Sequence, residues 1–163
     1  LTSGAQPIIS YNYGAQQFDR VKKTFILLLI VCLIYTTTMW LGILLVPEVF
    51  VNIFNDKPEL VAITSRSLRI FFAGIFVFGV QVACQQTFLA LGQAKISLVL
   101  ALLRKMILLV PLIFILPATL KAFMAPLDLV FMAEPVADII AALTTVICFI
   151  IFYRKTFVHS PQE

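Results

Sequence analysis

Two acids in this chain stand where acids are costly. Glu134 and Asp138 lie four residues apart in "FMAEPVADIIAAL", an otherwise apolar run. In a helix that spacing puts both carboxylates on one face. Counted back from Tyr153, Asp138 lies ~22 Å from the end of the run, with Glu134 one turn further on. Like charges one turn apart and partly withdrawn from water form a site that could hold a proton and release it when wetted. The chemistry on offer is therefore ion coupling. Pro135, between the two acids, removes one backbone hydrogen bond and loosens the helix there. The plainer alternative is a solvated or capping pair at the outer membrane interface, partnered by Arg66 or Arg69.

Other polar residues interrupt apolar runs. Arg104 and Lys105 fall in "VLALLRKMILLV". Arg104 lies ~24 Å from Leu120, a different depth from the acids. The sequence therefore predicts no direct pair, and long side chains that snorkel to the inner headgroups. Gln81, Gln85 and Gln86 share a third run. Gln81 and Gln85 occupy one helix face, and amides in lipid need partners. They are read either as interhelical glue or as candidates to line a substrate cavity. Gly74 and Gly79 in the same run would permit bending or close approach. In "YTTTMW" the threonine hydroxyls are expected to bond back to their own helix, and Trp40 to pack or sit at the interface.

The elements that carry these residues must cross a membrane. The 163 residues are 61% hydrophobic and 12% charged, with mean hydropathy +1.05. A soluble domain carries about 25% charged residues, and one core could not hide this much apolar surface. The net charge of +4 reports on loop topology and not on nucleic acid, because the cations sit at span ends without a basic-aromatic stripe. Cys32, Cys84 and Cys148 lie far apart in apolar runs and read as small buried hydrophobes. The single His159 lies in the polar tail. Neither a signal peptide nor a nucleotide-binding, metalloprotease or hydrolase motif is visible, so no enzyme and no bound cofactor is expected.

The chain divides into residues 1–14, the end of a helix; spans at 25–46, 58–91, 95–118 and 128–153; and a cytoplasmic tail at 156–163. The fold class is all-α and integral to the membrane, with four transmembrane helices plus the end of a fifth. Gly14 is expected to stop the first helix in the left-handed conformation, and Gly92 to end the third. Asn55 or Asp56 can cap the helix that starts at Pro58 and Glu59 and carries Arg66 and Arg69 on an amphipathic lead-in. Pro126 and Asp128 mark the last start. With Arg20, Lys22 and Lys23 in the cytoplasm, eight cations fall inside and four outside, which puts the C-terminus inside. A chain that begins in mid-helix is read as the C-terminal part of a longer membrane protein.

"GAQPIISYNYGAQQFDRVKK" resembles the segment that closes the eighth helix of multidrug and toxin extrusion (MATE) transporters, through Gly4, Gln6, Pro7, Tyr11, Asn12, Tyr13, Gly14 and Ala15. "NDKPELVAITSRSLRIFF", "FLALGQAKISLVLALLRK" and "AEPVADIIAAL" look like helices nine to twelve of that family. The likeness covers essentially the whole chain and is closest to the MepA-type branch. It implies a proton- or sodium-coupled exporter of cationic, lipophilic small molecules, built from two six-helix lobes that rock around a central cleft. On that basis this chain is the second lobe from the end of helix eight, and the N-terminal lobe is its missing partner in the plasma membrane of a bacterium. The motif residues are expected to be structural. The NorM-type branch carries an acid in helix ten, where this chain has glutamines, so Glu134 and Asp138 rest on position and not on inheritance. A related lipid-linked oligosaccharide flippase would need several cations in its cleft for the diphosphate. A non-transporting scaffold would leave the acids and amides dispensable.

Overall fold

The structure, a computed structural model, describes residues 2–54 and 57–157. Among them every regular element is a helix. Four helices are long and apolar enough to cross a bilayer: Phe18–Leu45, Pro58–Ala90, Ala94–Leu120 and Pro126–Thr156. The protein is an all-helical integral membrane protein.

α1 spans Thr2–Gly14 and tolerates Pro7 in its interior. Its end differs from expectation. Gly14 is the last helical residue, but the left-handed position is Gln16, with φ 57°. The Gln17 amide donates to the Asn12 carbonyl at 2.8 Å and the Gln16 amide to that of Tyr13 at 3.0 Å, the paired bonds of a Schellman turn. α5 ends the same way around Gly92, at φ 75°, as the sequence predicts.

α2 spans Phe18–Leu45, so Arg20, Lys22 and Lys23 lie inside its first turns and not in a link before it. Hydropathy marks only the lipid-embedded stretch, whereas Lys and Arg are good helix formers and Asp19 suits the helix start. Pro47 stops α2, because the residue before a proline avoids helical angles, and opens the short α3, Pro47–Asn52. α4, Pro58–Phe71, has Pro58 in its first turn and Lys57 as N-cap. The expected caps Asn55 and Asp56, and the tail from residue 158 with His159, lie outside the described residues, while residues 156 and 157 of the expected tail continue α8. A 3-10 turn at Phe72–Gly74 leads into α5, Ile75–Ala90.

α6, Ala94–Leu102, runs into α7, Val110–Leu120, through a π-helical segment at Leu103–Leu109. Pro111 is the second residue of α7. A proline lacks its amide hydrogen and crowds the carbonyl four residues earlier, and widening the preceding turn relieves both. α8, Pro126–Phe157, contains Pro135.

The helices pack through small residues. Ala133, Ala137 and Ala141, spaced by four, are at most 1% exposed and continue into buried Thr145 on one face of α8. A Cβ on Gly74 would lie 2.9 Å from Pro135 Cα, and one on Gly79 would lie 2.5 Å from Thr36 Oγ1. Thus the 3-10 turn meets α8 at one glycine, and α5 meets α2 at the other. Ile9, Val21, Leu28, Cys32 and Ala83 form one core cluster, and Cys84, Phe88, Leu100 and Phe149 a second. All three cysteines are free.

Candidate functional site

The two acids of α8 face the π-helical segment. Arg104 Nε donates to Asp138 Oδ1 at 2.5 Å, and its Nη2 donates to Glu134 Oε1 at 3.0 Å. Lys105 Nζ reaches the same Glu134 oxygen at 3.0 Å. The Arg104, Glu134 and Asp138 side chains are 15%, 12% and 7% exposed, while Lys105 is 54% exposed. Two cations thus balance two anions, and three of the four groups are nearly sealed.

The depths of the two runs do not keep Arg104 from the acids. Depth counts run from backbone to backbone, whereas an arginine side chain covers the height of a helical turn, about 5.4 Å. Desolvated carboxylates reward that reach, since charges taken out of water must be paired. Arg104 and Lys105 therefore turn toward α8 instead of snorkelling to the headgroups. The cations expected as the acids' alternative partners are engaged elsewhere. Arg66 Nη2 lies 2.5 Å from Asp128 Oδ2, and Arg69 Nη2 lies 3.7 Å from Glu48 Oε1.

The backbone around the cluster departs from ideal helix on both sides. On one side is the π turn. On the other, Pro135 stands between the acids and leaves the Phe131 carbonyl without its intrahelical amide. Gly74 lets the 3-10 turn close onto Pro135, so the junction of α4 and α5 braces α8 at its weak point.

Phe78 of α5 joins the cluster to a cavity. The Arg104 guanidinium stands 4.5 Å from the centre of the Phe78 ring, a cation–π contact. The same ring lines a cavity of about 690 Å³ with Tyr35, Met39, Phe72 and Gly79. That volume lies within the roughly 300–1,000 Å³ of small-molecule sites, and aromatic walls suit a lipophilic cation. Trp40 packs 5.3 Å from Phe76. Thr36 and Thr38 bond back to the carbonyls of Cys32 and Ile34 at 2.9 and 2.7 Å.

The other sequence-selected residues take varied places. Gln81 is 1% exposed, and its Oε1 and Gln85 Nε2 are buried without a partner among the described residues. Neither residue lines the cavity of Phe78. Of the N-terminal motif, Asn12 is buried and its Nδ2 donates to the Ile8 carbonyl at 2.7 Å. Tyr13 packs against the first core cluster. Gly4, Gln6, Pro7, Tyr11 and Gly14 are exposed. Gly4, Pro7, Tyr11 and Gly14 follow each other at three- and four-residue steps, so they share one uncovered face.

Sequence reasoning singled out Arg104 but not its pairing with the acids, and it missed Phe78. A signal for the pairing was present. Spans joined by a short connection are antiparallel neighbours, and one carries two cations while the other carries two acids. Nothing in the sequence distinguishes Phe78 from its aromatic neighbours.

The MatE family model matches residues 1–115, so Arg104 lies within the match and the acids of α8 lie beyond it. The uncharacterized protein MG447 homolog of Mycoplasma pneumoniae is 26% identical over 120 residues, covering 72% of this chain and 22% of that protein. Among solved structures, the MATE multidrug transporter DinF-BH, captured with a bound ligand, is 30% identical, with TM-score 0.84, over 98% of this chain and 34% of that one. A multidrug resistance MATE family transporter of the MOP superfamily, solved facing inward, shares the fold at TM-score 0.83 and 13% identity, over 96% of this chain and 36% of that one. The chain spans about a third of the length of these transporters and about a fifth of the curated relative.

Proposed function

Because the chain belongs to the MatE family, we propose that it forms part of the second lobe of a secondary multidrug exporter. That transporter exchanges lipophilic cations for H⁺ or Na⁺ by alternating access, with a further lobe as partner and no bound cofactor besides the coupling ion. It works in the plasma membrane with the C-terminal end of α8 in the cytoplasm, and it gives xenobiotic and antibiotic resistance. The MepA-type branch is part of the same proposal. Six cations at that end, Arg20, Lys22, Lys23, Lys95, Arg154 and Lys155, support the orientation; Arg104 and Lys105 leave the count because they pair within the span.

The observation that carries this reading is the cluster of Arg104, Glu134 and Asp138. An ion taken up by either carboxylate removes one anion from a balanced set. Arg104 then holds α8 less tightly, at the level where the π turn and Pro135 have already weakened the backbone. Uptake and release therefore bias two arrangements of the helix pair differently, as coupling requires. The cavity beside Phe78 contributes to the drug cleft, and the ligand bound to the multidrug transporter DinF-BH supports a site of that kind. Gln81 and Gln85 stay candidates for that cleft, because each holds a buried polar atom that a water or a bound group would satisfy.

The test is drug efflux by a full-length transporter that carries this segment. Glu134→Gln with Asp138→Asn abolishes ethidium export while the amount of protein in the membrane stays the same; unchanged export sinks the assignment. The neutralisation of the acids by Arg104 also favours a second reading, in which the cluster is a permanent cross-link. Replacing a whole buried ion set by neutral groups is often tolerated. On that second reading Arg104→Gln together with both acid substitutions restores export, and on the coupling reading export stays lost.

A further inference from the structure

A second cavity, of about 470 Å³, opens between α2, α5 and α8 at the end of the bundle where α2 begins and α8 finishes. Its walls are apolar. Phe25 and Phe149 stack at 4.6 Å, and Phe149 is held from behind by Phe88 at 5.4 Å. Leu29, Cys84 and Val146 line the inner part. Two charged residues border the cavity, Lys22 and Arg154, and both are cations.

The geometry is that of a slot with a charged mouth. Lys22 stands seven residues before Leu29, and Arg154 eight residues after Val146. At about 1.5 Å per residue the apolar part runs ~10–12 Å from the mouth toward the membrane interior. Arg154 makes no ion pair among the described residues, and Lys22 has only a contact of 4.0 Å with Asp19, itself 94% exposed. Lys22 and Arg154 therefore retain charge for a ligand. Arg20, Lys23, Lys95 and Lys155 stand at the same end of the bundle, which makes its field positive.

We propose that this slot binds one anionic phospholipid, with an acyl chain against Phe25, Leu29 and Phe149 and the phosphate between Lys22 and Arg154. Charge complementarity selects this occupant. A lipophilic cation fits the walls and is repelled at the mouth, and a zwitterionic lipid gains less from two cations than an anionic one. Basic pockets between transmembrane helices hold anionic headgroups by this combination of forces. The site is independent of the transport reading, since it uses neither the acids of α8 nor the cavity of Phe78.

The test is native mass spectrometry, in detergent, of a full-length transporter that carries this segment, titrated with phosphatidylglycerol or phosphatidylcholine. The unsubstituted transporter retains the anionic lipid more tightly. Lys22→Gln with Arg154→Gln weakens that retention about twenty-five-fold, two steps of about fivefold for two cations. Lys23→Gln with Lys155→Gln removes the same charge from residues outside the slot and leaves retention unchanged. Val146→Phe, which narrows the slot and keeps every charge, weakens it as well. Equal loss in the two charge variants shows diffuse attraction and overturns the site. So does retention of both lipids alike, full retention by Lys22→Gln with Arg154→Gln, full retention by Val146→Phe, or tighter binding of ethidium than of the anionic lipid.

Discussion

At the scale of the residue, Arg104 decides how the charged groups of the membrane interior are arranged. Removing it alone leaves two nearly sealed carboxylates with only the half-exposed Lys105 for balance. Breaking a buried ion set from one side costs about 3–5 kcal/mol. Thermal unfolding in detergent is expected to show Arg104→Gln destabilised on that order, and the neutral set of Arg104→Gln, Glu134→Gln and Asp138→Asn close to the parent. Equal damage in both would mean that the charges are not coupled. The four-residue spacing made the acids legible in the sequence, because helical periodicity fixes which residues share a face. Their partner was not legible, because side-chain reach and the cost of an unpaired charge act between helices and leave no periodic trace.

At the scale of the element, the helices were legible wherever apolar length or proline sets them. Pro58 and Pro126 open α4 and α8, and Gly92 closes α5. The ends set by polar residues were harder to read. The start of α2 at Phe18 lies well before the expected 25, since its first turns are charged yet helical. The left-handed residue after α1 is Gln16 and not Gly14, because the two closing bonds choose their place by geometry between helices. A non-glycine residue in that conformation costs roughly 1–2 kcal/mol, against which glycine brings a larger entropy loss on folding. Gln16→Gly is therefore expected to raise stability by up to about 1 kcal/mol, read from the same thermal unfolding. A loss of stability would show that the Gln16 side chain holds the turn. The π segment before Pro111 left no signal of its own in the sequence, since a proline in a membrane helix can equally be met by a kink.

At the scale of the whole molecule, the class of the protein followed from composition, since so apolar a chain needs lipid around it. The family was legible in the N-terminal motif, and the match over residues 1–115 bears it out. The motif itself is divided. Asn12 and Tyr13 face the core, while Gly4, Pro7, Tyr11 and Gly14 form an uncovered face. In the longer transporter proposed above, further helices are expected to cover such a face. The ion cluster links the π segment between α6 and α7 to α8, and through Phe78 it touches the wall of the larger cavity. In the proposed exporter, that contact is the short route for coupling, one aromatic ring from the cavity to the ion-pair cluster.

Ion counterflow in proteoliposomes tests that link most directly. A full-length transporter carrying this segment is reconstituted with H⁺ or Na⁺ loaded on one side, and ion movement is followed when ethidium is added on the other. With the native residues, drug entry is expected to drive ion release. With Arg104→Gln, Glu134→Gln and Asp138→Asn together, the protein stays folded and the drug-driven ion movement vanishes. Undiminished ion movement in that neutral variant would contradict the account.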